Sequence, residues 1–456
     1  MADRPIVILH GWSDRGSSFR RLAGLLRKRL GREVASIDLA DYATMDDEVT
    51  YDDLAAALTR AWGRRRLPMG PRSVDAVVHS TGALVLRDWL VRNFGTSGGA
   101  PVHRLLMLAP ANFGSPLAHK GNAFLGRVTL GWSAERPFQT GDRLLRGLEL
   151  ASPYTWELAR RDRRGPNDLY GPGRVLCTVL VGNAGYDGIR AAANEDGGDG
   201  TVRVSTANMD CAFLEADFSQ NPGRPTFRLE ESVGSTAFRI LPRENHSTIA
   251  GKDDGPRSRE ALEAMVRALT VEDDGFEAWR AECAAATAEA TAKGARKAAT
   301  HGFQNTVFLV EDQFGRRVPE YFLEFFVRDD DRDWFAKMFH REALRSVHAH
   351  SSEKAFRSLY VDCTVLGRQV DREWEGMTLS LSALPDIGQT GSVGYRSFTD
   401  GDIGGIEIPK ADVERYFRPH RTLMVRLRIR REQAEGVFGF TPLPPAAGPG
   451  PSPAGG

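Results

Sequence analysis

The sequence has few cysteines, no long apolar run and no excess of either charge. Its four cysteines are scattered over 456 residues, and none forms a Cys-x-x-Cys pair. Zinc sites and redox pairs depend on such pairs, so we expect free thiols and no metal, with two disulfides as the alternative. No apolar stretch approaches the ~20 residues needed to span a bilayer. Acidic and basic residues balance at 60 each, so no global field favours nucleic acid as a partner.

We also expect no signal peptide at the start of the sequence. Met1 is followed almost at once by the short apolar run Ile6–Leu9, which is interrupted too quickly for a signal peptide. We therefore expect a cytoplasmic protein, with signal-independent export as the alternative.

The sequence patterns predict two domains. Strand and helix patterns alternate over residues 1–270, which indicates an α/β fold with a doubly wound, mostly parallel sheet. Residues 112–173 break this alternation, and we expect a helical lid or cap insertion there, with a plain packed helical layer as the alternative. An alanine-rich helical linker is expected over residues 271–301. Alternating apolar and polar residues predict an all-β, sandwich-like domain over 302–433. The Pro/Gly-rich tail at 434–456 is expected to be disordered.

The predicted strands of the first domain place several polar residues at one edge. These strands are short apolar runs at residues 5–9, 33–39, 74–78, 104–109, 175–181 and 238–241. In a doubly wound sheet the ligand crevice lies beyond the carboxyl ends of the strands. His10, Ser80 and His246 each follow one of these runs, so the sheet should gather them.

The pattern around Ser80 predicts a nucleophile. An apolar run ends at Val78, the chain turns through His79-Ser80-Thr81-Gly82, and a helical pattern follows. A serine on such a turn is lifted off the sheet and faces the N-terminus of the next helix. Val78 departs from the usual small-x-Ser-x-Gly pattern, because it stands where a small residue is typical. An ordinary strand-end turn that holds a serine is the alternative.

A serine hydroxyl needs a general base, and the base needs an acid that orients it. His246 lies in a polar loop after a strand, which suits a base. His79 is a poor base candidate because its side chain should diverge from that of the adjacent serine. Asp199, in a glycine-rich loop, is the preferred acid, with Asp196 and Asp187 as competitors. A calcium-binding loop is the alternative interpretation of this acidic segment.

Two backbone N–H groups should hold the oxyanion of a tetrahedral intermediate. The N–H of Thr81, directly after the nucleophile, is one candidate. The N–H of Trp12, in the loop after the first strand, is the other, and Gly11 would let the backbone approach closely. An ordinary turn is the alternative for His10 and Gly11.

With these residues in view, the chain resembles the bacterial lipase/esterase branch of the α/β-hydrolase family over about residues 5–269. Five matching pieces occur in order: Leu9-His10-Gly11-Trp12, Val77-Val78-His79-Ser80-Thr81-Gly82, Ala109-Pro110-Ala111-Asn112-Phe113-Gly114-Ser115-Pro116, Asp199-Gly200-Thr201-Val202 and Asn245-His246-Ser247. The resemblance implies a serine carboxylester hydrolase that works through an acyl-enzyme, often on lipid esters. It implies the triad Ser80, Asp199 and His246 and no cofactor.

The sequence leaves other functions open. A phospholipase or a lipid acyltransferase would use the same triad. The apolar residues of the 112–173 insertion favour a lipid-like ester as substrate and suggest peripheral contact with a membrane. A hypothesis of another class is a non-catalytic scaffold protein whose C-terminal β domain binds a partner or a glycan. If the protein is a hydrolase, we expect its first domain alone to retain the triad chemistry.

Overall fold

The computed structural model describes residues 4–9, 19–38, 47–95, 99–118, 141–326, 337–370, 376–383 and 395–432. The predicted disordered tail and the middle of the predicted lid insertion, residues 119–140, lie outside these ranges.

Strands and helices alternate in the first half of the described chain, and strands predominate in the second half. The strands are β1 (Ile6–Leu9), β2 (Val34–Ile37), β3 (Val74–His79), β4 (Val102–Leu108), β5 (Leu176–Gly182), β6 (Cys211–Asp217), β7 (Thr226–Glu231), β8 (Thr236–Leu241), β9 (Phe303–Asp312), β10 (Tyr321–Phe326), β11 (Leu344–Ala349), β12 (Phe356–Asp362), β13 (Gly376–Ala383), β14 (Ile406–Pro409) and β15 (Thr422–Ile429). The α-helices are α1 (Arg20–Leu30), α2 (Tyr51–Arg64), α3 (Gly82–Phe94), α4 (Asp142–Leu148), α5 (Pro153–Asp162), α6 (Val204–Ala207), α7 (Arg259–Ala268), α8 (Asp273–Gly294), α9 (Cys363–Val370), α10 (Asp400–Ile403) and α11 (Lys410–Tyr416). Short 3₁₀ segments cover Gly188–Ala193, Thr248–Ala250 and Ala298–Thr300, and a π-helical turn covers Phe339–Ala343.

Six strands form a parallel sheet in the order β2-β1-β3-β4-β5-β8. Strands β3, β4 and β5 are buried along their whole length, as parallel strands covered by helices on both faces must be. The predicted doubly wound α/β fold is confirmed. Strand order reverses beside β1, since β2 lies on one side of it and β3 on the other. The crevice at the carboxyl ends of β1 and β3 is therefore the expected ligand site.

Two further sheets form the C-terminal part of the molecule. One is the antiparallel sheet β10-β13-β14, and the other is the mixed sheet β11-β12-β9-β15-β6-β7, in which β15 runs parallel to both β9 and β6. Phe325 and Leu381 from the first sheet and Val425 from the second share one buried core. The predicted sandwich-like architecture is confirmed. The hairpin of β6 and β7 differs from the expected organisation, because it comes from the chain before residue 270.

The mixed sheet also packs against the first part of the molecule. Successive residues of β15 alternate in direction, as strand geometry requires. Val425 points into the sandwich core, whereas Met424 contacts a separate buried cluster that includes Phe113 and Trp156. One face of this sheet therefore covers the three-stranded sheet, and the other covers the part of the molecule that contains the parallel sheet.

The helix α8 corrects the expectation of a helical linker over residues 271–301. Phe276, Trp279 and Cys283 recur at helical spacing and are buried in the core of the parallel sheet. The indole N–H of Trp279 donates a hydrogen bond to Thr178 Oγ1 in β5, at 3.0 Å. This helix is therefore a covering layer of the parallel sheet.

The described part of the 112–173 insertion is a packed layer. Its helix α5 lies against α3, and the two are joined by a fully buried ion pair between Arg87 and Asp162, with the shorter N–O distance at 2.8 Å. Whether residues 119–140 form a moving lid stays a prediction. None of the helices in the described ranges is long and apolar enough to cross a bilayer.

Candidate active site

Ser80 lies in a strained turn between β3 and α3. Its φ of +55° is in the left-handed region, which a residue other than glycine occupies at a cost of about 1–3 kcal/mol. The surrounding backbone holds this turn: the N–H of Ser80 donates to Leu108 O at 3.2 Å, and the N–H of Ala83 donates to Ser80 O at 3.2 Å. The structure therefore places Ser80 in the sharp strand-turn-helix geometry that the sequence pattern predicts.

Val78, the residue that departs from the usual pattern, is accommodated within the sheet. It is fully buried in β3 and pairs with Leu9 of β1 on one side and Met107 of β4 on the other. Gly82 follows as the first residue of α3. The larger side chain at position 78 therefore coexists with the tight turn at Ser80.

The structure brings Asp199 and His246 into direct contact. His246 Nδ1 and Asp199 Oδ2 are 2.9 Å apart, and the backbone N–H of His246 donates to Asp199 O at 3.0 Å. Asp199 is fully buried. Its other carboxylate oxygen, Oδ1, accepts hydrogen bonds from the N–H groups of Thr201 and Val202, at 2.9 and 2.8 Å. Three donors thus fix the carboxylate, and Nδ1 is the ring nitrogen through which His246 contacts it.

The two competing acids lie elsewhere. Asp196 forms an ion pair with Arg345 at 2.5 Å, and each side chain is about one-third exposed. The side chain of Asp187 is 93% exposed and lies 3.8 Å from Arg257. Since only Asp199 of these three contacts His246, it is the acid that the geometry favours. The described residues contain no group of three or more His, Cys, Asp or Glu side chains that could hold a metal ion, and calcium binding by this loop stays an untested alternative.

The loop that carries His246 is fixed on both sides. Asn245 Oδ1 accepts hydrogen bonds from the N–H groups of Ser247 and Thr248, at 3.0 and 2.9 Å. Before it, the buried carboxylate of Glu244 accepts from the N–H of Ser258, the residue that caps α7. The base candidate therefore sits on a loop whose backbone is tied both to itself and to the following helix.

His79 holds this loop beside Ser80. Its Nε2 lies 3.0 Å from His246 O, and the two imidazole rings are 4.6 Å apart. A carbonyl oxygen only accepts hydrogen bonds, so His79 must donate from Nε2. His79 thus positions the His246 loop, and the expectation that it is not the base stays a prediction. Because His79 directly precedes Ser80, this contact also brings His246 to the turn.

Of the predicted oxyanion donors, only Thr81 lies in a described range. It is the N-cap residue of α3, where the positive end of the helix dipole favours an anion. Trp12, with the supporting residues His10 and Gly11, lies outside the described residues. The role of Trp12 therefore stays a prediction.

Two residues beside Asp199 were missed by sequence reasoning. Ser115 donates from Oγ to Thr201 O at 2.6 Å, and the buried hydroxyl of Tyr186 lies 3.0 Å from Thr201 Oγ1. Burial and the charge of Asp199 raise the pKa of Tyr186 to about 12, so the phenol stays protonated. Ser115 lies in the matching piece that ends at Pro116, so that piece could have indicated it. Tyr186 lies in none of the five matching pieces.

The parallel sheet, the strained serine turn and the Asp–His pair define a chain with the α/β-hydrolase fold. No family model and no curated protein matches the sequence. Among solved structures, the chain is similar to phospholipase PlaB from Legionella pneumophila, with a TM-score of 0.79 and 22% identity over 98% of each chain. The complex of PlaB with thio-NAD matches with the same TM-score and identity over 97% of each chain. The propeptide form of lipase BlEst2 from Bacillus licheniformis matches at a TM-score of 0.39 and 15% identity, covering 87% of this chain and 96% of that chain.

Proposed function

We propose that this protein is a serine hydrolase that cleaves lipid-like carboxylic esters, with Ser80 as nucleophile, His246 as general base and Asp199 as the acid that orients it. The observation that carries the proposal is the 2.9 Å contact between Asp199 and His246 next to the strained Ser80 turn. A buried Asp–His pair beside a serine on a strand-to-helix turn suits acyl transfer.

The proposed reaction has two halves. Ser80 Oγ attacks the ester carbonyl carbon while its proton passes to His246 Nε2, since Nδ1 is already hydrogen-bonded to Asp199. The Thr81 N–H, together with the predicted Trp12 N–H, stabilises the oxyanion. The intermediate then collapses, and His246 returns the proton to the leaving alcohol. In the second half His246 activates a water molecule, which hydrolyses the acyl-enzyme and releases the carboxylic acid.

A phospholipid is the narrower substrate that we propose. The similarity to PlaB, described as a phospholipase, supports it, because the likeness extends over both parts of the chain. A lipid acyltransferase with the same triad is the alternative. The two differ in what attacks the acyl-enzyme, so the product decides: free fatty acid for hydrolysis, or an acylated acceptor when a lipid alcohol is added.

A fluorophosphonate probe tests the nucleophile. We expect the wild-type protein to be labelled and Ser80→Ala to be neither labelled nor active, with hydrolysis of p-nitrophenyl esters reduced at least ~10³-fold. Ser73→Ala is the matched control. Ser73 immediately precedes β3 as Ser80 follows it, and its hydroxyl donates only to the backbone oxygens of Pro68 and Gly70. A wild-type protein that neither reacts with the probe nor hydrolyses esters would leave the scaffold hypothesis in its place.

Phosphatidylcholine vesicles then test the substrate. Mass spectrometry should detect free fatty acid and lysophospholipid with the wild-type protein but not with Ser80→Ala. If short-chain esters are cleaved and phospholipids are not, the esterase proposal survives and the phospholipid proposal fails.

A further inference from the structure

The loop that carries Asp199 is pressed directly against the C-terminal sheet. Gly197, with a φ of +70°, lies so close to this sheet that an added Cβ would be 2.2 Å from the ring of Phe303 and 2.4 Å from the hydroxyl of Tyr360. Those two rings stack with their centroids 4.7 Å apart. The loop therefore rests on a rigid aromatic surface made by β9 and β12.

Polar contacts fix the backbone before Asp199, at residues 196 and 197, to the same surface. The hydroxyl of Tyr360 donates to Asp196 O at 2.8 Å. Arg345 of β11 pairs with the Asp196 carboxylate at 2.5 Å. The N–H of Gly197 also donates to Ala299 O, in the 3₁₀ segment Ala298–Thr300, at 2.9 Å. The backbone three residues before Asp199 is thus held by residues distant in sequence.

Tyr360 also contacts the loop after Asp199, at Arg203. The guanidinium carbon of Arg203 lies 3.9 Å from the centroid of the Tyr360 ring, a cation–π contact in a buried setting. The Arg203 side chain is 3% exposed, and it donates to Glu195 at 2.9 Å and to Ser346 Oγ at 3.0 Å. One tyrosine therefore contacts the loop at residue 196, through its hydroxyl, and at residue 203, through its ring.

Backbone hydrogen bonds link these held residues, on both sides of the loop, to Asp199. Gly198 and Arg203 form an antiparallel bridge, and the N–H of Asp199 donates to Val202 O at 3.0 Å. Thr201 and Val202, whose N–H groups hold Asp199 Oδ1, directly precede Arg203. A shift of Arg203 would move the donors that orient Asp199.

We propose that Tyr360 is a positioning residue for the acid Asp199, so that the C-terminal β domain is a working part of the active site. This inference rests on the proposed serine hydrolase function. It gives the C-terminal domain a role within the molecule, whereas the comparisons do not support the alternative hypothesis that this domain binds a partner or a glycan. It also reverses the expectation that the first domain alone retains the triad chemistry.

The test is Tyr360→Phe, which keeps the ring and removes the hydroxyl. Tyr321→Phe is a closely matched control: Tyr321 is also buried, its hydroxyl donates to Ala355 O at 3.3 Å, and Arg357 lies 3.8 Å from its ring centroid. Both variants lose one buried hydrogen bond, so their melting temperatures should fall by similar amounts. Only Tyr360→Phe should lose kcat, on the order of 10-fold, because misplacement of a catalytic group by 1 Å can cost ~10²-fold.

One readout, independent of activity, separates positioning from a merely structural role. The downfield proton resonance of the His246 Nδ1–H···Asp199 hydrogen bond should shift in Tyr360→Phe alone. The His246→Ala variant, in which this resonance is absent, assigns it.

The outcomes are distinct. An unchanged proton resonance in Tyr360→Phe, or equal effects of the two variants on the resonance, overturns the positioning role whether or not the protein is active. A wild-type protein that shows the resonance but reacts with neither esters nor fluorophosphonate overturns the proposed function alone. In that case a resonance that shifts only in Tyr360→Phe still supports the structural coupling.

Discussion

The substitution Asp199→Asn should abolish most of the activity for a reason that the hydrogen bonds make explicit. The wild-type carboxylate accepts two backbone N–H bonds at Oδ1 and one bond from His246 at Oδ2. An amide has only one oxygen. That oxygen must face Thr201 and Val202, because the opposite orientation would set the amide NH₂ group against two N–H donors. The NH₂ group then faces His246 Nδ1 and forces it to accept a hydrogen bond.

The cost follows from the position of the proton. If Nδ1 accepts, the neutral imidazole carries its proton on Nε2, the nitrogen that must receive the proton of Ser80. The equivalent change in the Ser-His-Asp template lowers kcat ~10⁴-fold. Since each tenfold change corresponds to about 1.4 kcal/mol, the expected increase in the activation barrier is about 5 kcal/mol.

The assay is p-nitrophenyl ester hydrolysis by folded protein, with thermal melting as the check on folding. Asp187→Asn is the control and should retain full activity. The side chain of Asp187 is 93% exposed, and its ion pair with Arg257 is long, at 3.8 Å. Retention of more than about a tenth of wild-type kcat in Asp199→Asn would refute the assignment of the acid. So would an equal loss in Asp187→Asn.

Three further predictions concern packing, pH and thiol chemistry. Gly197→Ala should lower the rate of ester hydrolysis and the melting temperature, because the added Cβ would collide with Phe303. Gly188→Ala is the control and should keep its activity, because Gly188 also has a positive φ but no atom lies within 4 Å of an added Cβ. Equal activities of the two variants would contradict this. Burial alone would raise the pKa of Glu149, but hydrogen bonds from His348 and Ser351 lower it to about 2. The stability that Glu149 contributes is therefore present above its ordinary pKa of 4.5 and is lost as the pH falls towards 2. Urea unfolding should show that Glu149→Gln is less stable than wild type at pH 7 and equally stable near pH 2. A stability difference that does not depend on pH would contradict this. Burial raises the pKa of the free thiols of Cys177, Cys211 and Cys283 to about 12. These thiols should therefore react with a thiol reagent at pH 8 only after the protein is unfolded in denaturant. Rapid labelling of the native protein would contradict their burial.

Much of the parallel sheet could be read from the sequence because its strands carry a local signal. A strand covered by helices on both faces must be apolar at nearly every position, and the predicted runs at 74–78, 104–109 and 175–181 became β3, β4 and β5. The buried face of α8 also had a local signal in Phe276, Trp279 and Cys283, which its many alanines obscured. The C-terminal strands were found where apolar and polar residues alternate. However, the prediction of an all-β domain over 302–433 did not include helix α9, which begins at Cys363 directly after β12.

Long-range pairing had no such signal. The hairpin of β6 and β7 joins the C-terminal sheet through β15, and the register aligns Asp217 with Arg428. A pairing across that distance depends on the whole fold. Nothing in the sequence near residue 211 indicates its partner, so the boundary between the two parts of the chain could not be drawn from composition.

The sequence by itself indicated the kind of chemistry that we propose for this protein. Ser80, Asp199 and His246 stood out because a serine turn, a glycine-rich acidic loop and a strand-end histidine each have a local pattern. Only the tertiary structure decided that Asp199 contacts His246 while Asp196 and Asp187 do not, since all three share the same kind of loop. It also decided that Tyr360 holds that loop. A contact between residues more than 150 positions apart exists only when the folded sheets bring them together, and no local pattern encodes it.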